Sequence, residues 1–138
     1  MADVPLSLAQ YVFTAADGAA APSTAAVMVP AGLPDTADVA AIPMLKAGAV
    51  VGLMLSSPVS SGDTVQLQAF KNGTVMTGIN LTNSNAAPQA EAIFSKDTAA
   101  AQFIAGDLIS ARYLTTTGST YTAHDILGVV VVQYGLSE

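Results

Sequence analysis

One histidine and ten carboxylates are the side chains with which this sequence could perform acid-base or metal chemistry. His124 stands beside Asp125, so the composition allows a Ser-His-Asp triad. No nucleophile-elbow motif is present, however, and adjacent residues on a strand point to opposite faces. We interpret His124 and Asp125 as a turn before the last strand, and we expect no catalytic residues.

The acidic residues are scattered singly along the chain, which argues against an Asp-x-Asp calcium loop. Asp63 and Asp107 each follow a glycine and could form a cation site only if symmetry gathered several subunits; capped turns are the favoured interpretation. A single histidine forms no multi-histidine metal site, and the sequence has no cysteine. We therefore expect no metal and no cofactor.

Three tyrosines offer a further possibility, a sugar-binding surface formed by ring stacking. Tyr113, Tyr121 and Tyr134 are 8 and 13 residues apart, so their rings need not meet. Packing in the core or at an interface is favoured for them.

Charge is scarce in this sequence. Only 10% of the 138 residues are charged, 51% are apolar, and the formal net charge is −6. A surface with so few charges favours contacts between subunits, and an unusually neutral monomer is the alternative. The acidic balance and the isolated basic residues argue against a nucleic-acid partner and against an anionic membrane.

Residues 61–82 have the pattern of a β-hairpin. Polar and apolar residues alternate over 64–69, Asn72 and Gly73 accept positive φ, and apolar residues return at 75, 79 and 81. Side chains two apart share a face, so we expect one buried set: Val65, Leu67, Ala69, Val75, Ile79 and Leu81. One hairpin is unstable alone in water, so partner strands must lie elsewhere in the chain.

From residue 45 onward, strand patterns recur at the spacing of a sandwich or barrel. Further strands are predicted over residues 49–56, 91–95, 107–114 and 126–134, and the alanine run in 97–103 predicts a single turn. We therefore predict an all-β protein, with an antiparallel, jelly-roll-like β-sandwich over residues 45–138.

The last predicted strand does not alternate. Residues 126–132 are apolar on both faces, so both faces must be covered. We predict a subunit interface that contains Val129, Val130, Val131, Val132 and Tyr134. Burial by the N-terminal segment of the same chain is the alternative.

Residues 1–44 differ from the rest of the chain, because they carry five of the seven prolines and four aspartates without a basic residue. Proline at this density breaks helices and central strands, so we predict an extended N-terminal arm that docks on a partner. A leader without a role is the alternative. The predicted capsid-contact residues of the arm are Leu6, Tyr11, Val12, Phe13, Val27 and Val29. Deletion of residues 1–43 should then leave the sandwich folded.

Four segments together carry a resemblance to a known family. Residues 48–53 (GAVVGL), 71–75 (KNGTV), 103–113 (FIAGDLISARY) and 126–132 (ILGVVVV) resemble the small jelly-roll modules of tailed-phage virions. These modules are trimeric capsid decoration (cement) proteins and related head-fibre or tail-fibre domains, similar in layout to tumour-necrosis-factor and complement-like trimers. The resemblance covers roughly the last two thirds of the chain.

The resemblance implies a structural virion protein that is not an enzyme. Such a protein is made in the host cytoplasm, binds the major capsid protein on the outside of a phage capsid as a homotrimer, and stabilises the capsid by bridging capsomers. In decoration proteins, N-terminal segments often clamp neighbouring capsomers. The alternative is a fibre or spike domain of a phage that binds a host-surface glycan.

Overall fold

The chain is built almost entirely of β-strands over the residues that the structure describes. The structure is a computed structural model, and it describes residues 7–15, 26–30, 41–56, 64–84, 89–115 and 127–135. Strands within these ranges are β1 (Ser7–Ala15), β2 (Ala26–Pro30), β3 (Ala41–Pro43), β4 (Gly48–Ser56), β5 (Thr64–Lys71), β6 (Thr74–Ser84), β7 (Gln89–Ile93), β8 (Gln102–Phe103), β9 (Leu108–Thr115) and β10 (Leu127–Tyr134). The alanine run predicted as a single turn forms a 3-10 turn at Ala99–Ala101.

The eight longer strands form two antiparallel sheets. Sheet I has the strand order β1-β10-β4-β7, and sheet II has the order β2-β9-β5-β6. The short strands β8 and β3 pair with β4 and β9. The chain passes repeatedly from one sheet to the other, which is the strand arrangement of a jelly roll. The predicted all-β antiparallel sandwich is confirmed.

Strand β2 joins the two sheets along one side of the sandwich. Residues 28–30 pair with β1 of sheet I, and residues 26–27 pair with β9 of sheet II. Strand β2 therefore has a neighbour on each side. The first two residues of β2 thus pair with sheet II, and the last three pair with sheet I.

The core lies between the sheets and is filled by every second residue of the strands. Sheet I contributes Phe13, Leu53 and Val130, and sheet II contributes Leu67 and Ile109, all fully buried. Side chains two apart on a strand point the same way, so each strand presents one face to this layer. Burial of each large side chain contributes roughly 1.5–3 kcal/mol to stability.

Strands β5 and β6 form the predicted hairpin. Asn72 has a φ of 52° and Gly73 a φ of 80°, and both central residues of a type I′ hairpin turn need positive φ. Val65, Leu67 and Ala69 are buried, as the alternation predicted.

The burial predicted for Val75 is wrong, because β6 contains a bulge. Val75 is 42% exposed, whereas its neighbour Met76 is 3% exposed. The register of β5 and β6 shifts opposite residue 69, where β6 carries extra residues that include Gly78 at a φ of 81°. The bulge reverses the alternation along β6. Met76, near its start, and Ile79 and Leu81, after it, therefore all point into the core.

The described residues of the N-terminal segment lie mostly in extended strands, and these strands belong to the sandwich. Strand β1 pairs with β10 from Ser7 opposite Tyr134 to Thr14 opposite Leu127, and β2 pairs with its other edge. A boundary between residues 44 and 45 therefore separates strands of the same sheets. The division into an arm, 1–44, and a sandwich, 45–138, must be revised for the described residues.

Proline misled the sequence interpretation for a physical reason. Pro30 is the last residue of β2, and Pro43 is the last residue of β3. Proline is tolerated at a strand end because the ladder needs no further donor beyond it. Pro30 and Pro43 thus mark where two short strands stop, and both strands still pair with their neighbours.

Candidate functional site

The residues that could do chemistry form no metal cluster within the described ranges, where no three His, Asp or Glu side chains lie close enough to hold an ion. His124, Asp125, Asp63 and Tyr121 lie outside the described residues. The triad and the shared cation site therefore stay untested at those positions. Asp107 is described, and its surroundings are those of a turn.

Asp107 fastens two turns of the sandwich together. It follows Gly106, whose φ is 88°, and its Oδ2 accepts a hydrogen bond from the N–H of Ile104 (2.9 Å). Its Oδ1 accepts from Asn72 Nδ2 (3.0 Å), and Asn72 Oδ1 accepts from the N–H of Leu108 (2.9 Å). The hydrogen bond from the Ile104 amide, and then the one from Asn72 Nδ2, lowers the pKa of Asp107. Asp107 is thus the acceptor in a capped turn, as predicted, and its donors are the amide of Ile104 and the side chain of Asn72.

Tyr113 and Tyr134 belong to the core and do not form a sugar-binding surface. Tyr113 is fully buried, and the Tyr134 ring packs edge-on against Phe103 with centroids 6.1 Å apart. The Tyr134 hydroxyl donates to Met44 Sδ (3.6 Å) and is hydrogen-bonded to the Tyr11 hydroxyl. Of the two alternatives predicted for these tyrosines, the core or an interface, both pack in the core.

The Tyr11–Tyr134 pair predicts a pH dependence. Burial first, then the hydrogen bond to Tyr134 and its charge, raises the pKa of Tyr11 from 10.0 to about 12. The folded chain therefore holds this proton to higher pH than the unfolded chain. The resulting stabilisation is complete below pH 10 and is lost as pH rises toward about 12. We expect Tyr11→Phe to remove the tyrosinate signal near pH 12 from an absorbance titration; loss of a signal near pH 10 instead would contradict the assignment.

In strand β10, buried and more exposed residues alternate, although the run of valines in its sequence is uniform. Val130, Val132 and Tyr134 point inward and are buried in the core of the same chain. Val129 and Val131 point outward and are half-buried. The predicted interface must therefore be corrected: packing between the sheets already uses Val130, Val132 and Tyr134, and only Val129 and Val131 remain available to a partner.

The predicted capsid-contact residues are also divided by the alternation of β1. Phe13 is fully buried between the sheets, so a capsid protein cannot reach it, and Tyr11 points inward with it. Val12 lies on the opposite, outer side and is half-buried. The others are Val27 and Val29, which lie on β2, and Leu6, which lies outside the described residues.

The outer face of sheet I is apolar at its centre. Val12 of β1 is paired with Val129 of β10, which is paired with Met54 of β4. One row further along β10, Val131 lies opposite Gly52, and Gly52 is paired with Ile93 of β7. We call this surface the outer face of sheet I and define it by Leu8, Val12, Met54, Ile93, Leu127, Val129 and Val131. Ile93 is 90% exposed and Leu8 is 68% exposed.

Charge on this outer face is confined to its edge. Among the described outward residues of β1, β10, β4 and β7, Glu91 on β7 alone is charged. Gln10, Gln89 and Gln133 add amides around the valines. The face therefore has an uncharged apolar centre and a polar margin.

The outer face of sheet II is different in chemistry. Gln68 Nε2 donates to Gln66 Oε1 (2.9 Å), and Gln66 Nε2 donates to Thr82 Oγ1 (3.3 Å). The Arg112 guanidinium lies 4.4 Å above the ring of Phe70 and covers it. Polar groups of this face thus bond to one another along the strands. The two outer faces of one sandwich are unlike, which is informative about where a partner binds.

A groove of about 520 Å³ lies at one end of the outer face of sheet I. Met54, Leu127 and Val129 line it on the apolar side, and Gln89 and Glu91 line it on the polar side. It is open and has no aromatic lining residue of the kind that stacks on sugars. The groove continues the apolar face toward the edge strand β7.

No family model matches this sequence, and a search of curated proteins finds no match. Within the described part of the chain, no helix is long and apolar enough to cross a membrane. The function is therefore proposed from the geometry of the surfaces.

Sequence reasoning missed Leu8, Met54 and Ile93 as members of the outer face. Alternation over residues 48–56 places Met54 on one face of the strand and Leu53 and Leu55 on the other. Because most of this run is apolar, the sequence does not show which of the two faces is buried. Ile93 gave a weaker signal, because β7 alternates outward Gln89, Glu91 and Ile93 with small alanines. The assignment needed the partner strands.

Proposed function

We propose that this protein is a structural component of a phage virion that binds the outside of the capsid as a homotrimer and stabilises it by bridging capsomers. The observation that carries the proposal is the unlike character of the two outer faces of the sandwich. One face carries a row of polar side chains that are hydrogen-bonded to one another, and the other has an uncharged apolar centre. Exposed apolar surface of this extent is typical of a surface that binds another protein.

The polar side chains of the described residues support an architectural role. Asp107, Asn72, Gln66 and Gln68 are engaged in hydrogen bonds that fasten turns and strands. Jelly rolls are also a recurrent architecture of viral capsid domains. Fold alone does not specify function, so the unlike faces carry more weight than this analogy.

Bridging can stabilise a shell without strong individual contacts. Each copy that binds two neighbouring capsomers converts the second contact into an intramolecular one, so modest interfaces add up around the shell. A contact of the standard size, roughly 800 Å² per partner, is enough for a specific interface. A small rigid module with one apolar face has the size and surface for this task.

A binding experiment tests the proposal directly. Capsids of the parent phage that lack this protein are mixed with purified protein, and capsid melting is followed by calorimetry. We expect the melting temperature of the capsids to rise with added protein until the sites are saturated, because ligands that bind only the intact shell stabilise it.

Heat-unfolded protein at the same concentration is the control, and it should leave the melting temperature unchanged. No stabilisation at saturating protein would contradict the proposal. Binding to host cells but not to capsids would favour the fibre or spike alternative instead.

A further inference from the structure

We infer that Asn72 is a site of spontaneous deamidation, and that the reaction releases the hairpin turn from Asp107. The chain contains one Asn-Gly pair, Asn72 followed by Gly73. Glycine has no side chain, so its backbone nitrogen approaches the side-chain amide of a preceding asparagine with little steric hindrance. The other asparagines precede larger residues: Asn80 precedes Leu81, Asn83 precedes Ser84, and Asn85 precedes Ala86.

Deamidation here is an intramolecular condensation followed by hydrolysis. The nitrogen of Gly73 forms a bond to Cγ of Asn72, the bond from Cγ to Nδ2 breaks, and Nδ2 leaves as ammonia with the proton that Gly73 loses. Water then opens the cyclic imide at one of its two carbonyl carbons, which gives aspartate or isoaspartate at position 72. Water is the only co-reactant, and either product carries a carboxylate where the native chain has a neutral amide.

The hairpin turn leaves the reacting groups open to water. Asn72 and Gly73 are both exposed. Apart from the chain neighbours of Gly73, no atom lies within 4 Å of the position that a Cβ on this residue would occupy. Water can therefore reach the ring once it forms, and Gly73 can move without disturbing a packed neighbour.

Asp107 and Leu108 hold the amide in place and so slow the reaction. Asn72 Nδ2 donates to Asp107 Oδ1 (3.0 Å), Asn72 Oδ1 accepts from the N–H of Leu108 (2.9 Å), and the N–H of Asn72 donates to the Leu108 carbonyl oxygen (2.8 Å). The φ of 52° places Asn72 in the left-handed region, where ψ is about +47°. At that ψ the side chain and the nitrogen of Gly73 lie on opposite sides of the Cα–C bond, so ring closure requires rotation about this bond. The turn must therefore open locally before Asn72 reacts.

Deamidation makes the opening permanent, because it replaces a hydrogen-bond donor with a second carboxylate. Asn72 Nδ2 and Asp107 Oδ1 are 3.0 Å apart, and two carboxylates at that separation cannot both remain ionised without moving apart. The isoaspartate product also lengthens the backbone by a methylene, within a turn that needs two residues of fixed geometry. Because the ammonia is lost, the original hydrogen bond does not form again.

Ageing of the intact purified chain at mildly alkaline pH tests the inference. Peptide mass spectrometry follows the gain in mass as each asparagine amide becomes a carboxylic acid. We expect Asn72 to be converted before the other asparagines, because glycine follows it alone among them. Conversion of Asn80 first, or at an equal rate, would overturn the inference.

Asp107→Ala should accelerate the reaction, because it removes an acceptor that holds the amide. Loss of one hydrogen bond to a charged group raises the population of the open turn by about tenfold, and the rate of conversion of Asn72 should rise by the same factor. Asp97→Ala is the matched control, since Asp97 is also exposed and hydrogen-bonded, to Lys96, but does not bond to Asn72. It should leave the rate at Asn72 unchanged. An unchanged rate in Asp107→Ala would overturn the inference that Asp107 restrains the amide.

Asn72→Asp reproduces one product and tests its effect on stability. We expect a lower urea midpoint than for the wild type, because the introduced carboxylate repels Asp107. Addition of Asp107→Asn should restore most of the lost midpoint, since its amide can donate to the new carboxylate. Asn80→Asp is the control, because it adds the same charge at an exposed position on β6, and it should shift the midpoint little.

Circular dichroism shows whether each variant folds, and the aged wild type gives the result if Asp107→Ala does not. The modified and unmodified chains differ in charge, so ion exchange separates them. The modified fraction should unfold at a lower urea concentration than the unmodified fraction. Equal midpoints of the two fractions, or no recovery in the double variant, would show that the reaction does not release the turn from Asp107.

Discussion

A chain that lacks residues 1–43 is expected not to fold. The deletion removes β1, β2 and β3, and with them the strand that pairs along the whole length of β10. It also removes Phe13 and Met28 from the core, each fully buried. The lost burial and hydrogen bonding exceed the 5–15 kcal/mol by which domains of this size are stable. Circular dichroism with urea titration should therefore show no cooperative transition.

Point substitutions on β1 test whether this strand is part of the core without removing the N-terminal segment. Phe13→Ala is expected to lower the free energy of unfolding by about 3–5 kcal/mol, because it leaves a cavity between the sheets. Leu8→Ala on the same strand is the control, since Leu8 is exposed, and it should change the free energy by less than about 0.5 kcal/mol. A truncated chain that unfolds cooperatively, together with equal effects of the two substitutions, would mean that β1 is not part of the core.

Gly48→Ala is expected to destabilise the sandwich by roughly 3 kcal/mol or more. A Cβ at this position would lie 2.2 Å from the carbonyl oxygen of Gln133 and 2.9 Å from Cζ of Phe103. The carbonyl belongs to the backbone of β10, so relief of the clash requires β4 and β10 to separate where they pair. The free energy of unfolding from urea titration measures the cost.

Gly52→Ala is the matched control on the same strand. Its added Cβ would come no closer than 3.4 Å to a neighbour, the Cβ of Val131, which is an ordinary contact. We expect its free energy of unfolding to stay within about 1 kcal/mol of the wild type. Equal losses in the two variants would show that the close approach of β10 to Gly48 is not what limits substitution.

The positions of most strands could be predicted because alternation of polar and apolar residues and the residue types of turns are properties of the local sequence. The hairpin around Asn72 and Gly73 needs only alternation and two residues that accept positive φ. Val75 shows the limit of the same reasoning. A bulge changes which face a residue occupies, and nothing in the alternation of β6 places the bulge before the pairing with β5 is known.

Pairing between distant strands was beyond the sequence. Ser7 lies opposite Tyr134, almost the full length of the described chain away, and local composition carries no record of that contact. The proline content suggested an arm, whereas β1 lies inside sheet I. Two strands from opposite ends of the sequence are thus neighbours, and only the three-dimensional register shows it.

The outward-facing residues of β10 could not be assigned from the sequence, for a related reason. The run of valines on β10 correctly indicated two apolar faces, but an unbroken run does not say which residues face the core. Pairing with Gly52 and Leu53 on β4 decides that Val131 faces outward and Val130 inward. The interface prediction, which stays a prediction, therefore mixed residues from the two faces of β10.

The split pairing of β2 closes part of one side of the sandwich. Where β2 pairs, along residues 13–15 of β1 and 112–113 of β9, the ladder already engages the backbone donors and acceptors, so a foreign strand cannot add at those residues. The opposite side is bordered by β6 and β7, which lie next to each other. The irregular backbone near Gly78 and the carboxylate of Glu91 both disfavour strand addition at this border. Polymerisation through the strand edges is therefore disfavoured where β2 pairs and along the border of β6 and β7.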